Sequence, residues 1–149
     1  MTKIRKATIG DLKFVVELFD KYRVFYEKES DKEKAENFIS ERLKLNDSKI
    51  FVAETDDGNL VGFVQLYPIF SSTVMQRLWL LNDLFVVEEY RGKGISKQLI
   101  EISKSLCAQT NACGLILETA KTNIVGNKLY PNAGFLLDKE HNYYFWNNN

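Results

Sequence analysis

The eight residues Tyr90-Arg91-Gly92-Lys93-Gly94-Ile95-Ser96-Lys97 constrain this chain more than any other stretch. They lie between its most apolar segment, Leu78–Val87, and a segment where Ile95, Leu99, Ile102 and Leu106 recur at helical spacing. An apolar strand must therefore turn sharply into an amphipathic helix over about 94–109. Two glycines let successive main-chain N–H groups point to one side. The helix start adds the positive end of its dipole, and Arg91, Lys93 and Lys97 add mobile positive charge. Such a turn suits a phosphate or pyrophosphate. A Walker A pattern is absent, and a dinucleotide fingerprint fails because Lys97 stands where its third glycine belongs. A plain strand-to-helix turn carries the same residues, with glycines at positive φ and solvated cations, so the loop alone leaves both readings open.

The flanking pattern supplies a fold. Lys3–Ala7 reads as a strand. Thr8 and Asp11 cap a helix over about 9–26, marked by Leu12, Val15, Val16, Phe19, Tyr22 and Tyr26. Asp31 caps a second helix through Ala35, Phe38, Ile39 and Leu43. Ile50–Thr55 and Leu60–Leu66 flank Asp57-Gly58, a hairpin signal. Pro68 and Ser71–Thr73 make the region after Leu66 an edge or a loop. Leu115–Thr119 is a strand, and Asn123–Tyr130 is a short helix cut by Pro131 and ended by Gly134. Phe135–Leu137 and Tyr143–Trp146 are closing strands. Antiparallel strands followed by a βαβ crossover predict a mixed α/β (α+β) fold. Its central sheet is mostly antiparallel, with about seven strands flanked by four helices. Residues 1–149 read as one domain.

Composition removes several functions. Twenty Lys+Arg balance twenty Asp+Glu, so no excess charge is available for general nucleic-acid binding. Two Cys exclude a disulfide framework and a four-Cys zinc site, and one His excludes multi-His metal centres. No apolar run approaches the ~18–20 residues of a membrane span, and the first residues lack the apolar core of a signal peptide. A cytoplasmic protein is expected.

Two motifs together carry a family resemblance. Leu84-Phe85-Val86-Val87 followed by Arg91-Gly92-Lys93-Gly94-Ile95-Ser96 resembles the acetyl-CoA motif of the GNAT superfamily of N-acetyltransferases, [RQ]-x-x-G-x-[GA] after an apolar strand. Asn123 and Leu129-Tyr130-Pro131-Asn132-Ala133-Gly134-Phe135 resemble its second motif. The element order is similar to that family's whole fold. Leu81–Val86 most resembles the diamine and polyamine N-acetyltransferase branch, although polyamine enzymes have an acid where this chain has Asn82. Ser96 replaces the last Gly or Ala, and a small hydroxyl keeps the main chain accessible.

The resemblance implies an acetyl-CoA-dependent N-acetyltransferase. It acts on a primary amine of a small molecule, a polyamine, amino acid or related amine, attacked directly in a ternary complex without a metal. It implies cofactor contacts from Leu84, Phe85, Val86, Arg91, Gly92, Lys93, Gly94, Ile95, Ser96, Lys97, Asn123 and Tyr130. The Val86 amide would stabilise the oxyanion, and the Tyr130 phenol would protonate the leaving thiolate. Asp83, a charge in an apolar strand, is a candidate base or substrate contact; a carboxylate tied to a backbone N–H or to Arg77 is the equal alternative. Tyr22, Tyr26 and Asn82 are candidate acceptor contacts, with core packing the simpler role for the Tyr22–Phe25–Tyr26 cluster. His141 reads as a surface residue, and Cys107 and Cys113 as buried small ones. A homodimer is expected, with no nucleic-acid or membrane partner. A non-catalytic acyl-CoA-binding module, or acetylation of a protein or peptide amine, is the alternative.

Overall fold

Strands form here where apolar and β-branched residues run together, and helices where they recur every three or four positions. The computed structural model describes residues 1–149. Two compact units divide the chain, Met1–Glu118 and Thr119–Asn149.

In the first unit, β1 (Thr2–Lys6), β2 (Lys49–Thr55), β3 (Leu60–Ser71), β4 (Gln76–Val86) and β5 (Leu115–Ile116) form one sheet in chain order. The first four are antiparallel, and β5 joins β4 in parallel. Helices α1 (Leu12–Phe25) and α2 (Lys32–Leu45) precede β2, and α3 (Ile95–Gln109) makes the β4–β5 crossover. Alternation along β3 sorts the two faces. Phe63 packs with Val15, Val16, Leu18, Ala35, Ile39, Ile50, Val52 and Phe85 beneath α1 and α2. Its neighbour Gly62 faces Leu99 of α3. Each fully buried Val, Leu or Phe contributes roughly 1.5–3 kcal/mol.

Polar ties fix the first two helices. The Arg5 guanidinium grips both Asp11 oxygens at 2.8 Å and Glu54 at 2.7 Å. Asp11 also accepts the Thr8 N–H, as the expected cap requires. Buried Asp20 accepts the Ser30 hydroxyl at 2.6 Å and the Asp31 N–H at 2.9 Å, and Asp31 caps α2 through the Lys34 N–H.

Several expected element bounds, and the strand count, need correction. β3 does not stop at Leu66 but passes through Pro68 to Ser71. β2 reaches only Leu66, so β3 is an edge there. The Trp79 N–H goes to Gly114 O, which leaves the missing Pro68 N–H on the uncovered side, where it costs no ladder bond. The sheet has five strands, not seven. β5 ends at Ile116 rather than Thr119, because β4 carries a bulge at Asn82, between Leu81 and Asp83, and bulges turn a strand away from its neighbour.

In the second unit, residues 135–149 form no ladder, so Phe135–Leu137 and Tyr143–Trp146 are not strands. Side-chain pattern makes a strand possible, but only a partner edge makes it form. Helix α4 (Ile124–Asn132) continues past Tyr130, with Pro131 inside its last turn. The turn closes instead through the Ala133, Gly134 and Phe135 N–H groups.

Candidate active site

The site begins where β4 becomes α3. Glu88–Tyr90 form one 3-10 turn, Gly92 and Gly94 take positive φ of 73° and 81°, and α3 starts at Ile95. No side chain caps this helix. Its first N–H groups have no intrahelical acceptor by geometry, and the first bond back into the loop is Gln98 N–H to Gly94 O. The N–H groups of Ile95, Ser96 and Lys97 are thus presented together at a helix N-terminus, with Gly92 and Gly94 at positive φ just before them, the arrangement that binds phosphate.

Two of the three side-chain cations have partners within the protein. Arg91 Nε donates to Val86 O at 2.9 Å, and its guanidinium lies 5.1 Å from the Phe25 ring centre and 5.6 Å from that of Phe85. Lys93 Nζ sits 4.5 Å over the Tyr90 ring. Lys97 is exposed and Ser96 half-buried in the first helical turn. The loop therefore offers an anion chiefly its main chain, while Arg91 fastens the loop to the end of β4 and to α1.

Beside the loop, the β3–β4 register decides which β4 groups are available. Val87 N–H bonds Val61 O, and the Phe85 carbonyl points at β3, only 2.9 Å from where a Gly62 Cβ would stand. Antiparallel alternation then turns the Leu84 and Val86 main-chain groups away from β3. β5 pairs with β4 only at Trp79 and Leu80. The Leu84 main chain and the Val86 N–H are therefore open to an extended amide chain, whereas Val86 O accepts from Arg91 and the Phe85 main chain is committed to β3.

On the α1 face of the same strands lies an aromatic wall. Tyr22 and Tyr26 ring centres are 5.0 Å apart, Phe25 and Tyr26 5.2 Å, and Tyr22 and Phe85 6.4 Å. The cluster is not simple core, since Phe25 and Tyr26 are exposed. The Tyr22 hydroxyl donates to Asn82 O at 3.3 Å, and Asn82 itself is exposed at the bulge.

Asp83 is buried and does not pair with Arg77, which stacks over Phe70 and Trp79 instead. Its Oδ2 accepts from Gln65 Nε2 at 2.8 Å and its Oδ1 from Asn82 Nδ2 at 3.1 Å. Burial raises its pKa above the usual carboxylate range, and the hydrogen bonds from Gln65 and Asn82 partly oppose that. Sequence reasoning passed over Gln65. One polar residue inside the apolar run Leu60–Leu66 was the available signal.

The second unit holds the other two candidates. Asn123 caps α4: its Oδ1 accepts the Gly126 N–H at 3.1 Å and its Nδ2 donates to Thr119 Oγ1 at 2.9 Å. Tyr130 is half-buried near the end of α4, with its ring 5.7 Å from that of Phe135. His141 is exposed and pairs with Asp138 at 2.8 Å. Cys113 is exposed, contrary to expectation, and Cys107 is half-buried. No group of three His, Cys, Asp or Glu side chains is placed to hold a metal ion.

Residues 13–135 match the model of the Acetyltransferase (GNAT) family. The uncharacterized N-acetyltransferase YhfO of Bacillus subtilis is 41% identical over 132 residues, covering 89% of this chain and 88% of that protein. A probable acetyltransferase of Haemophilus influenzae is 30% identical over 136 residues, 91% of each chain. The crystal structure of a probable acetyltransferase superposes with a TM-score of 0.93 at 36% identity, covering 99% of this chain and 98% of that one.

Proposed function

Because this chain belongs to the GNAT acetyltransferase family, we propose that it moves the acetyl group of acetyl-CoA to a primary amine of a small molecule, by direct attack within a ternary complex. The observation that carries the reading is the set of main-chain N–H groups of Ile95, Ser96 and Lys97, with Gly92 and Gly94 at positive φ just before them, beside the outward-turned Leu84 main chain and Val86 N–H. Those features fit the two ends of the co-substrate, a pyrophosphate and an extended amide arm. Acetyl-CoA supplies the acetyl group as a thioester.

Each protein group then has a task. Gly92, Lys93, Gly94, Ile95, Ser96 and Lys97 hold the pyrophosphate through their amides. Leu84 and Val86 align the arm as an added strand would. The Val86 N–H stabilises charge that builds on the thioester oxygen. The Tyr130 phenol, ordinarily near pKa ~10, gives its proton to the departing sulfur. Asp83 takes up the proton that the amine releases, through a water at Asn82. Tyr22, Tyr26 and Asn82 line the acceptor side, and Asn123 caps the start of α4, the helix that carries Tyr130.

A small amine fits the aromatic wall of Tyr22, Phe25 and Tyr26. A polyamine is a less natural guest than a singly charged amine, since Asn82 is neutral and the Arg91 guanidinium stands against Phe25 and Phe85. No helix is long and apolar enough to cross a membrane. The proposal completes with one catalytic domain working as a cytoplasmic homodimer.

The test is release of free thiol from acetyl-CoA with polyamines, amino acids, aminoglycosides and a peptide N-terminus as acceptors. A small amine should turn over faster than the peptide. No amine above the hydrolysis background would remove the catalytic reading. Tyr130→Phe should lower kcat at least tenfold with little change in CoA affinity; equal losses in both would deny Tyr130 its acid role.

A further inference from the structure

Gln65 is the least expected polar residue in the sheet. It is 0% exposed, in the middle of β3 on the same face as Phe63. A buried amide is costly unless both its ends are bonded. Both are. Ser48, 6% exposed just before β2, donates its hydroxyl to Gln65 Oε1 at 3.0 Å, and Gln65 Nε2 donates to Asp83 Oδ2 at 2.8 Å. Asp83 is 3% exposed. Three polar side chains thus cross the sheet in one line beneath α1 and α2, and each bond dictates the next.

The direction of the line matters. A Ser hydroxyl can donate or accept, and an amide can flip. Asp83 as a carboxylate only accepts, so Gln65 must turn its NH₂ toward it. Gln65 Oε1 is then left to accept, and the Ser48 hydroxyl must donate. The line occupies Oδ2 from the core side and leaves Oδ1 facing exposed Asn82. The titratable groups facing this carboxylate are Tyr22 from α1 and Tyr67 from β3. Arg42 of α2 and Asp47 beyond it act on Tyr67, whose phenol is pushed above its usual range first by burial and then by the Asp83 charge.

We infer that Gln65, oriented by Ser48, is the positioning residue of Asp83: it pins one carboxylate oxygen in the core so that the other is presented at the Asn82 bulge toward the acceptor side. This extends the proposed function, because it assigns a purpose to the geometry of the group read there as the base. It also explains why a strand that could be wholly apolar carries an amide at its centre.

The test reads Asp83 itself. Carboxyl carbon-13 NMR follows its titration in the wild type, Gln65→Met, Ser48→Ala and the double variant, each shown to be folded by circular dichroism. Gln65→Met removes a donor to the charged form, so the Asp83 midpoint should rise by about one pH unit, a tenfold change in its equilibrium. Ser48→Ala should raise it less, since the amide remains. The double variant should match Gln65→Met alone, because Ser48 acts only through Gln65. An unmoved midpoint in Gln65→Met, or additive shifts in the double variant, would overturn the inference. Gln65→Glu gives a second check if Gln65→Met does not fold: a second carboxyl facing Asp83 should split the titration into two coupled steps, and a single unchanged step would overturn the inference. The acid limb of the kcat profile, measured with an amine that turns over, should move with the NMR midpoint and vanish in Asp83→Asn. A limb that persists in Asp83→Asn would refute Asp83 as base, while the NMR result still decides what Gln65 does.

Discussion

Gly62→Ala is the sharpest probe of how closely β3, β4 and α3 approach. A methyl group at this position would stand 2.9 Å from the Phe85 carbonyl oxygen, 3.2 Å from a Val86 methyl and 3.5 Å from a Leu99 methyl. The two methyls can shift slightly. The carbonyl cannot shift alone, because it belongs to the main chain inside the β3–β4 ladder. Relief requires β4 to move. Overpacking of this kind costs about 1–3 kcal/mol, while trimming the unfolded chain's freedom offsets about 0.4–1 kcal/mol. The net loss is about 1–2 kcal/mol, a fall of about 3–6 °C in Tm for a domain of this size. Displacement of Phe85–Val86 should also weaken coenzyme A binding more than the stability loss alone would. Differential scanning calorimetry with and without coenzyme A reads both effects. A variant that melts at or above the wild-type temperature, with unchanged coenzyme A stabilisation, would refute the close-approach reasoning.

Two further perturbations bear on the scaffold. Hydrogen bonds from Arg5, joined by Thr8 and opposed by burial, hold the Asp11 carboxyl down at about 2. A depressed carboxyl stabilises the fold above its unfolded value near ~3.9 and loses that contribution as pH falls toward about 2. Unfolding free energies from urea melts should therefore drop between about pH 4 and 2 by at most about 2 kcal/mol in the wild type; Asp11→Asn should lack that part of the slope, and equal slopes would count against the Arg5 pairing. Asp20→Ala should cost about 1–3 kcal/mol, because the Ser30 hydroxyl and the Asp31 N–H both lose their acceptor at the α1–α2 junction. A urea midpoint within error of the wild type would contradict that assignment.

What could be read in the sequence depended on how local its cause was. The β4–loop–α3 turn was legible because Gly92 and Gly94 must serve positive φ and Ile95, Leu99, Ile102 and Leu106 must face one way. Asp31 announced α2 because a cap acts within one turn. Pro68 left edge and loop both open because its cost depends on which strand lies beside it; β2 has already ended there, so the edge alternative holds. The stretches after Gly134 have strand-like side chains, but pairing is decided by a distant edge, and β5 is only two residues long. Arg91 looked like a free phosphate donor because a sequence does not reveal that Val86 O and two rings stand within its reach. The partners of Asp83 were hidden for the same reason: Ser48 and Gln65 are 35 and 18 residues away along the chain, and only the β2–β3–β4 register brings them into line.

Titration of coenzyme A into the folded protein, followed by isothermal calorimetry, most directly tests whether the Gly92–Lys97 amides hold a diphosphate. Saturable heat with one site per chain, lost in Gly94→Val because valine disfavours the 81° φ of that residue, is the predicted result. No heat from a wild-type chain whose circular dichroism shows it folded would contradict the account at its centre.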